Sequence, residues 1–145
     1  MQVFIVGTPL ETAQVLDKRR LNKQIIECQQ ILDALNGKKA WSNHPCTLQY
    51  REPLAKEWLV NYLSCLLSYV NNRYGEAMNY DEICEIIKPK FHTQAYFDQM
   101  KKRLYTKDNE YYKQWAHLGE SEVNWYWSHE KQEFIKYKNG KRILS

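Results

Sequence analysis

Between Thr8 and Gly37 the chain carries the start and stop signals of one long helix. Thr8 suits the N-cap, Pro9 the first helical position, and Glu11 stands at N3, where it completes a capping box. Asn36-Gly37 is a stop, because Gly readily takes the left-handed backbone that ends helices. The spacing predicts a helix over 9–35. At about 100° per residue, Asp17, Gln24, Arg20, Glu27 and Lys23 fall in that order across about 120° of its surface. Leu21, Cys28, Ile31, Leu32 and Leu35 occupy an arc that overlaps the Asp17 and Gln24 end of this strip. Two carboxylates, a guanidinium and an amide thus sit on the rim of a core-facing surface. Charges there need partners or a solvated cleft, and such clefts favour perturbed pKa values and chemistry. The same strip also reads as an ordinary set of helical ion pairs.

The rest of the chain is punctuated in the same way. Gln2 to Val6 is an apolar run, either a strand or a buried N-terminal segment. A loop over 37–46 carries Trp41-Ser42-Asn43-His44-Pro45, and 46–51 suits a short helix. Leu54, Trp58, Leu59, Tyr62, Leu63, Leu66, Leu67 and Val70 recur at helical spacing, predicting a helix over 53–73 that ends at Tyr74-Gly75. Asp81 opens a further helix stopped before Pro89, Thr93 caps one through Leu104, and another covers 109–118 up to Gly119. Trp125 to Trp127 and Glu133 to Lys138 read as strands, and Asn139-Gly140 is a hairpin turn signal. The expectation is a mainly α fold: a single compact helical domain over 1–145, with a long first helix and a small C-terminal β-hairpin.

At 145 residues the chain is long enough to bury a real core. No run of about 18 apolar residues occurs, and Met1 to Val6 is too short and lacks the basic leader of a signal peptide. Cys28, Cys46, Cys65 and Cys84 form no CxxC pair and read as reduced thiols of a cytoplasmic protein. His44, His92, His117 and His129 have no metal-ligand spacing, so no metal is expected. Neither a glycine-rich phosphate loop nor a G-x-S-x-G elbow is present. The net charge of +4 is mild, but Lys18, Arg19, Arg20 and Lys23 cluster, Lys38 and Lys39 follow, and Lys101, Lys102 and Arg103 form a second run. Eleven Tyr and five Trp accompany them. Basic groups interleaved with aromatics suit phosphates and unpaired bases, although the aromatics equally suit a small core.

Glu27 is the leading candidate for acid–base chemistry, since Ile26, Cys28 and Ile31 would partly desolvate its carboxylate while Arg20 and Lys23 favour its ionised form. Lys23 stands one turn earlier, and an amine beside a carboxylate is the minimum apparatus for Schiff-base chemistry on a sugar aldehyde. Asn43 and His44 lie in a Pro-bounded loop where His44 can donate to a phosphate, act as an acid or orient a carboxylate. Arg73 at a helix end can complement the dipole. Trp125, Tyr126, Trp127 and Tyr137 suit either base stacking or core closure.

Taken together, Leu16-Asp17-Lys18-Arg19-Arg20-Leu21-Asn22-Lys23-Gln24, Glu27, Gln30 to Leu35 and Trp41-Ser42-Asn43-His44-Pro45 resemble the pyrimidine-dimer DNA glycosylase/endonuclease V-like family of small bacterial and phage proteins. Tyr50-Arg51 and Arg73-Tyr74-Gly75 match further family positions, and the resemblance is dense over 10–75. It implies a base-excision enzyme, an N-glycosylase with AP-lyase activity, acting without a cofactor on damaged or modified double-stranded DNA. It implies Glu27 as acid/base and the α-amine of Met1 as nucleophile. Lys23, or water activated by Asp17 or Glu27, is the alternative if that amine does not reach. Lys18, Arg19, Arg20, Gln24, Asn43, His44, Arg51 and Arg73 would hold the DNA, helped by Lys38 and Lys39. The chain departs from the family where Ile25 replaces a frequent Arg and where Met1 is followed by Gln2, which hinders Met removal. The expectation is a cytoplasmic monomer. A non-catalytic nucleic-acid-binding protein of the same fold, or an accessory interaction module using the Tyr/Trp-rich tail, are the alternatives.

Overall fold

The computed structural model describes residues 2–128 and 130–143. It is mainly α, with a small antiparallel sheet at the C-terminal end. The helices are α1 (Pro9–Val15), α2 (Lys18–Leu35), α3 (Pro45–Gln49), α4 (Pro53–Val70), α5 (Tyr74–Ile86), α6 (Gln94–Lys107) and, after a 3₁₀ turn at Lys113–Trp115, α7 (Ala116–Gly119). The strands are β1 (Val123–Ser128), β2 (Glu133–Lys138) and β3 (Lys141–Arg142). The chain groups into two compact units, Met1–Pro89 and Lys90–Ser145. Among the described residues no helix is long and apolar enough to cross a membrane.

In the first unit α4 is the hub, packing on α1, α2 and α5. Trp58, Leu59, Tyr62 and Leu66 supply its buried stripe. Residues 3–6 are buried without forming a strand. Their backbone groups still need partners, and side chains provide them: Gln24 for Phe4 N–H and Thr12 Oγ1 for Val6 N–H. The helix predicted over 9–35 is divided. Leu16 and Asp17 are extended, and the Asp17 carboxylate accepts the Arg20 N–H as the N-cap of α2. Asp17 therefore begins the helix instead of lying along its face. At the far end Gly37 takes φ 109°, with Lys38 N–H on Asp33 O and Gly37 N–H on Ala34 O, a Schellman motif as the sequence predicts.

The boundary after α4 differs from the sequence reading. Asn72, at φ 60°, takes the left-handed role expected of Gly75, and Arg73 N–H reaches Ser68 O at 2.8 Å. Tyr74 then starts α5 and Gly75 lies inside it, so the helix expected to open at Asp81 begins seven residues earlier. Cys28, Cys65 and Cys84 are buried free thiols and Cys46 is a half-buried one. Burial pushes the Cys65 thiol up to about 12, so it stays protonated and unreactive.

In the second unit β1 pairs with β2 and β2 with β3. Asn139 and Gly140, at φ 52° and 77°, form the predicted hairpin turn. Helix α6 closes the outer edge of β1 with side chains: Gln99 accepts the Trp125 N–H, and Lys102 donates to Val123 O and Ser121 O. One face of the sheet, through Trp127 and Phe134, meets Phe91 and Tyr96. The helix expected over 109–118 is shorter: Asp108 Oδ1 caps a turn at Tyr111, and helical geometry begins at Lys113.

Candidate active site

Helix α2 sets the site by presenting Gln24 and Glu27 towards the buried N-terminal segment. Gln24 is 1 % exposed. Its Nε2 donates to Gln2 O at 2.8 Å, while its Oε1 accepts from Phe4 N–H and from Tyr62 Oη at 3.3 Å. One turn on, Glu27 is 7 % exposed. Its Oε2 accepts the Gln2 N–H at 3.3 Å, and its Oε1 lies 3.9 Å from Lys23 Nζ. The carboxylate is thus sheltered by protein on one side while Lys23, whose side chain is 67 % exposed, brings a solvated ammonium to the other.

The Trp41–Pro45 loop follows α2 and leads into α3. Trp41 is exposed and holds φ 64°, an uncommon backbone for a bulky residue. Its carbonyl accepts from His44 N–H, and its ring stands edge-on to the imidazole with centroids 5.7 Å apart. His44 is the N-cap of α3, its Nδ1 accepting the Cys46 N–H at 3.1 Å. In the neutral ring the proton is then on Nε2, which is left as a donor. Burial lowers the His44 pKa from its ordinary 6.5, and the charge of Glu27 acts in the opposite direction, so the two groups share one electrostatic environment. Arg51 donates to Ser42 O at 3.0 Å and fastens the loop. Asn43 is exposed.

The structure therefore brings Lys23, Gln24 and Glu27 together on α2, with His44 close enough to feel the Glu27 charge. Lys18 and Arg19 are exposed on the first turn of α2, and Arg20 bonds Asp17 Oδ1 at 3.2 Å beside them. A first turn with basic and no acidic residues opposes the helix dipole, so it is a place where an anion is favoured. Lys38 is paired with Asp33, and Lys39 is exposed. Arg73 stands apart from this group: it follows α4, whose last turn lies about 12 Å along the axis from Tyr62, and it pairs with Glu76 at 3.8 Å. Met1 lies outside the described residues. Sequence reasoning missed Tyr62 and the backbone of Gln2; the helical stripe containing Tyr62 was visible, but its hydroxyl facing Gln24 was not. Among the described residues no group of three His, Cys, Asp or Glu side chains could hold a metal ion.

Residues 1–82 match the family model described as pyrimidine dimer DNA glycosylase, a span that contains the whole cluster. No curated protein and no solved structure matches the chain. With more than half of its length matched, the chain belongs to the pyrimidine dimer DNA glycosylase family.

Proposed function

We propose that the protein excises damaged pyrimidines from duplex DNA, with Glu27 as the acid/base group. The observation that carries this reading is the sheltered Glu27 carboxylate, set between the Gln2 amide and the Lys23 ammonium. Breaking an N-glycosidic bond places positive charge on the sugar, and a fixed carboxylate in a poorly solvated site stabilises that charge. The damaged nucleotide would leave the stack to reach it. In this reading Trp41, which is exposed, would stack on an unstacked base, His44 Nε2 would donate to a phosphate or to the departing base, and Lys18, Arg19 and Arg20 would hold the backbone.

The lyase step needs an amine. Lys23 or the Met1 α-amine would attack C1′ as the base leaves with its bonding electrons and takes a proton. The sugar ring then opens to an imine, and Glu27 removes the C2′ proton so that the 3′ phosphate is eliminated. Borohydride trapping on duplexes carrying an abasic site or a cyclobutane dimer tests this. Wild type should release base and form a covalent adduct, and Glu27→Gln should slow release about 10²–10⁴-fold. Loss of the adduct in Lys23→Ala assigns that amine; an adduct that persists and maps to Met1 assigns the other. Base release unchanged by Glu27→Gln would overturn the reading.

The Gln2–Glu27 hydrogen bond also favours a second reading, since anchoring the N-terminal segment is a purely structural task. A non-catalytic DNA-binding protein would bind these duplexes with steep salt dependence and release nothing, in wild type and Glu27→Gln alike.

A further inference from the structure

The second unit carries the positive charge of the chain. Residues 90–145 hold eleven Lys and Arg against seven Asp and Glu, whereas 1–89 hold ten of each. The two faces of its sheet differ. Register places Trp127 and Phe134 on the face that meets Phe91 and Tyr96, and alternation puts Tyr126, Ile135, Tyr137 and Arg142 on the other. On that second face Tyr126 is 50 % exposed and stands edge-to-face with Tyr137, ring centroids 5.3 Å apart. Arg142 is the cross-strand partner of Tyr137 and is exposed. Beside them β2 and β3 bound a groove of about 420 Å³, lined by Ile135, Lys136, Arg142 and Ile143 with Glu133 and Phe134.

We propose that this sheet face binds an unpaired, single-stranded segment of DNA, the bases stacking on Tyr126 and Tyr137 and a phosphate resting on Arg142. Two aromatic rings presented on a strand surface, with a guanidinium across from one of them and net positive charge around them, match the chemistry of unpaired nucleotides: π-faces to stack and one negative charge per step. Trp127 lies in the aromatic cluster on the opposite face and takes no part. The identity of the strand rests on the DNA reading above, but the platform is independent of Glu27.

The test is binding of the full chain to a labelled oligothymidine of about twelve nucleotides, followed by fluorescence anisotropy. Tyr126→Ala and Tyr137→Ala should each weaken binding about tenfold, while Tyr126→Phe and Tyr137→Phe keep it within about twofold. Arg142→Ala should lower the slope of log K against log salt by about one. Circular dichroism checks that the variants fold, and if Tyr126→Ala or Tyr137→Ala does not, an Arg142→Ala variant whose salt slope equals that of wild type overturns the platform. No binding by wild type, or binding indifferent to both tyrosines, overturns the platform. Tyrosine-dependent binding in a protein that releases no base from dimer duplex leaves the platform standing and removes the glycosylase reading. Base release with no oligothymidine binding does the reverse.

Discussion

Gln24 serves three partners with one amide, and no apolar residue of its size can do the same. Gln24→Leu would leave Phe4 N–H, Gln2 O and Tyr62 Oη without this partner inside the core. A buried group left unsatisfied costs about 1–3 kcal/mol, so a loss of about 3 kcal/mol in urea unfolding is expected. His44 gives a pH prediction. Its folded pKa is lowered, so the unfolded chain binds the proton first as pH falls. Its contribution is complete above pH 6.5 and is lost as pH falls from 6.5 towards the folded pKa. Protonation also removes the Nδ1 acceptor that caps α3. An NMR titration should place the His44 midpoint below 6.5, with exchange protection of the Cys46 amide falling in the same range; a midpoint at or above 6.5 would contradict this. Both residues were visible in the sequence, Gln24 as a polar group beside the apolar face of a helix and His44 in a Pro-bounded loop. The partners of Gln24 were not, because Gln2 and Tyr62 come from segments far away along the chain, whereas the cap His44 forms is local, on the amide of Cys46.

Among the elements, the clearest sequence signals were those a single residue type enforces. Asn139-Gly140 gave the hairpin turn and Asn36-Gly37 the end of α2 because left-handed backbone suits few other residues. The same physics misled at Arg73-Tyr74-Gly75: Asn tolerates positive φ as well, and Asn72 took the role two residues after the last helical turn. The division at Leu16-Asp17 was hidden for a related reason, since Asp17 is acceptable on a helix face and preferred at an N-cap, and periodicity alone does not separate the two. Gly119 is a glycine of another kind. A Cβ there would come within 1.8 Å of the Tyr105 ring, so α7 can lie against α6 only where position 119 has no side chain. Gly119→Ala should destabilise the protein by about 1–3 kcal/mol, read as a lower thermal midpoint, and shortening Tyr105 to Ala in the same chain should relieve the clash. Unchanged stability in the single variant would show that the Tyr105 ring or α7 moves aside without cost.

Across the whole molecule, fold class was legible because helical periodicity dominates the first two thirds of the sequence and strand alternation the last twenty residues. The candidate site was legible in position but not in geometry: the Lys23–Glu27 pair follows from spacing on one helix, whereas the contact of Glu27 with residue 2 depends on a segment that has no periodicity to read. The side chains of α6 that close the outer edge of β1 have a consequence of their own. An exposed strand edge is a template on which another chain can add, and here Trp125 N–H and Val123 O are already engaged by Gln99 and Lys102. On that side the sheet is closed to intermolecular strand addition, and Gln99 and Lys102 act as gatekeepers of the aromatic-rich β1 edge.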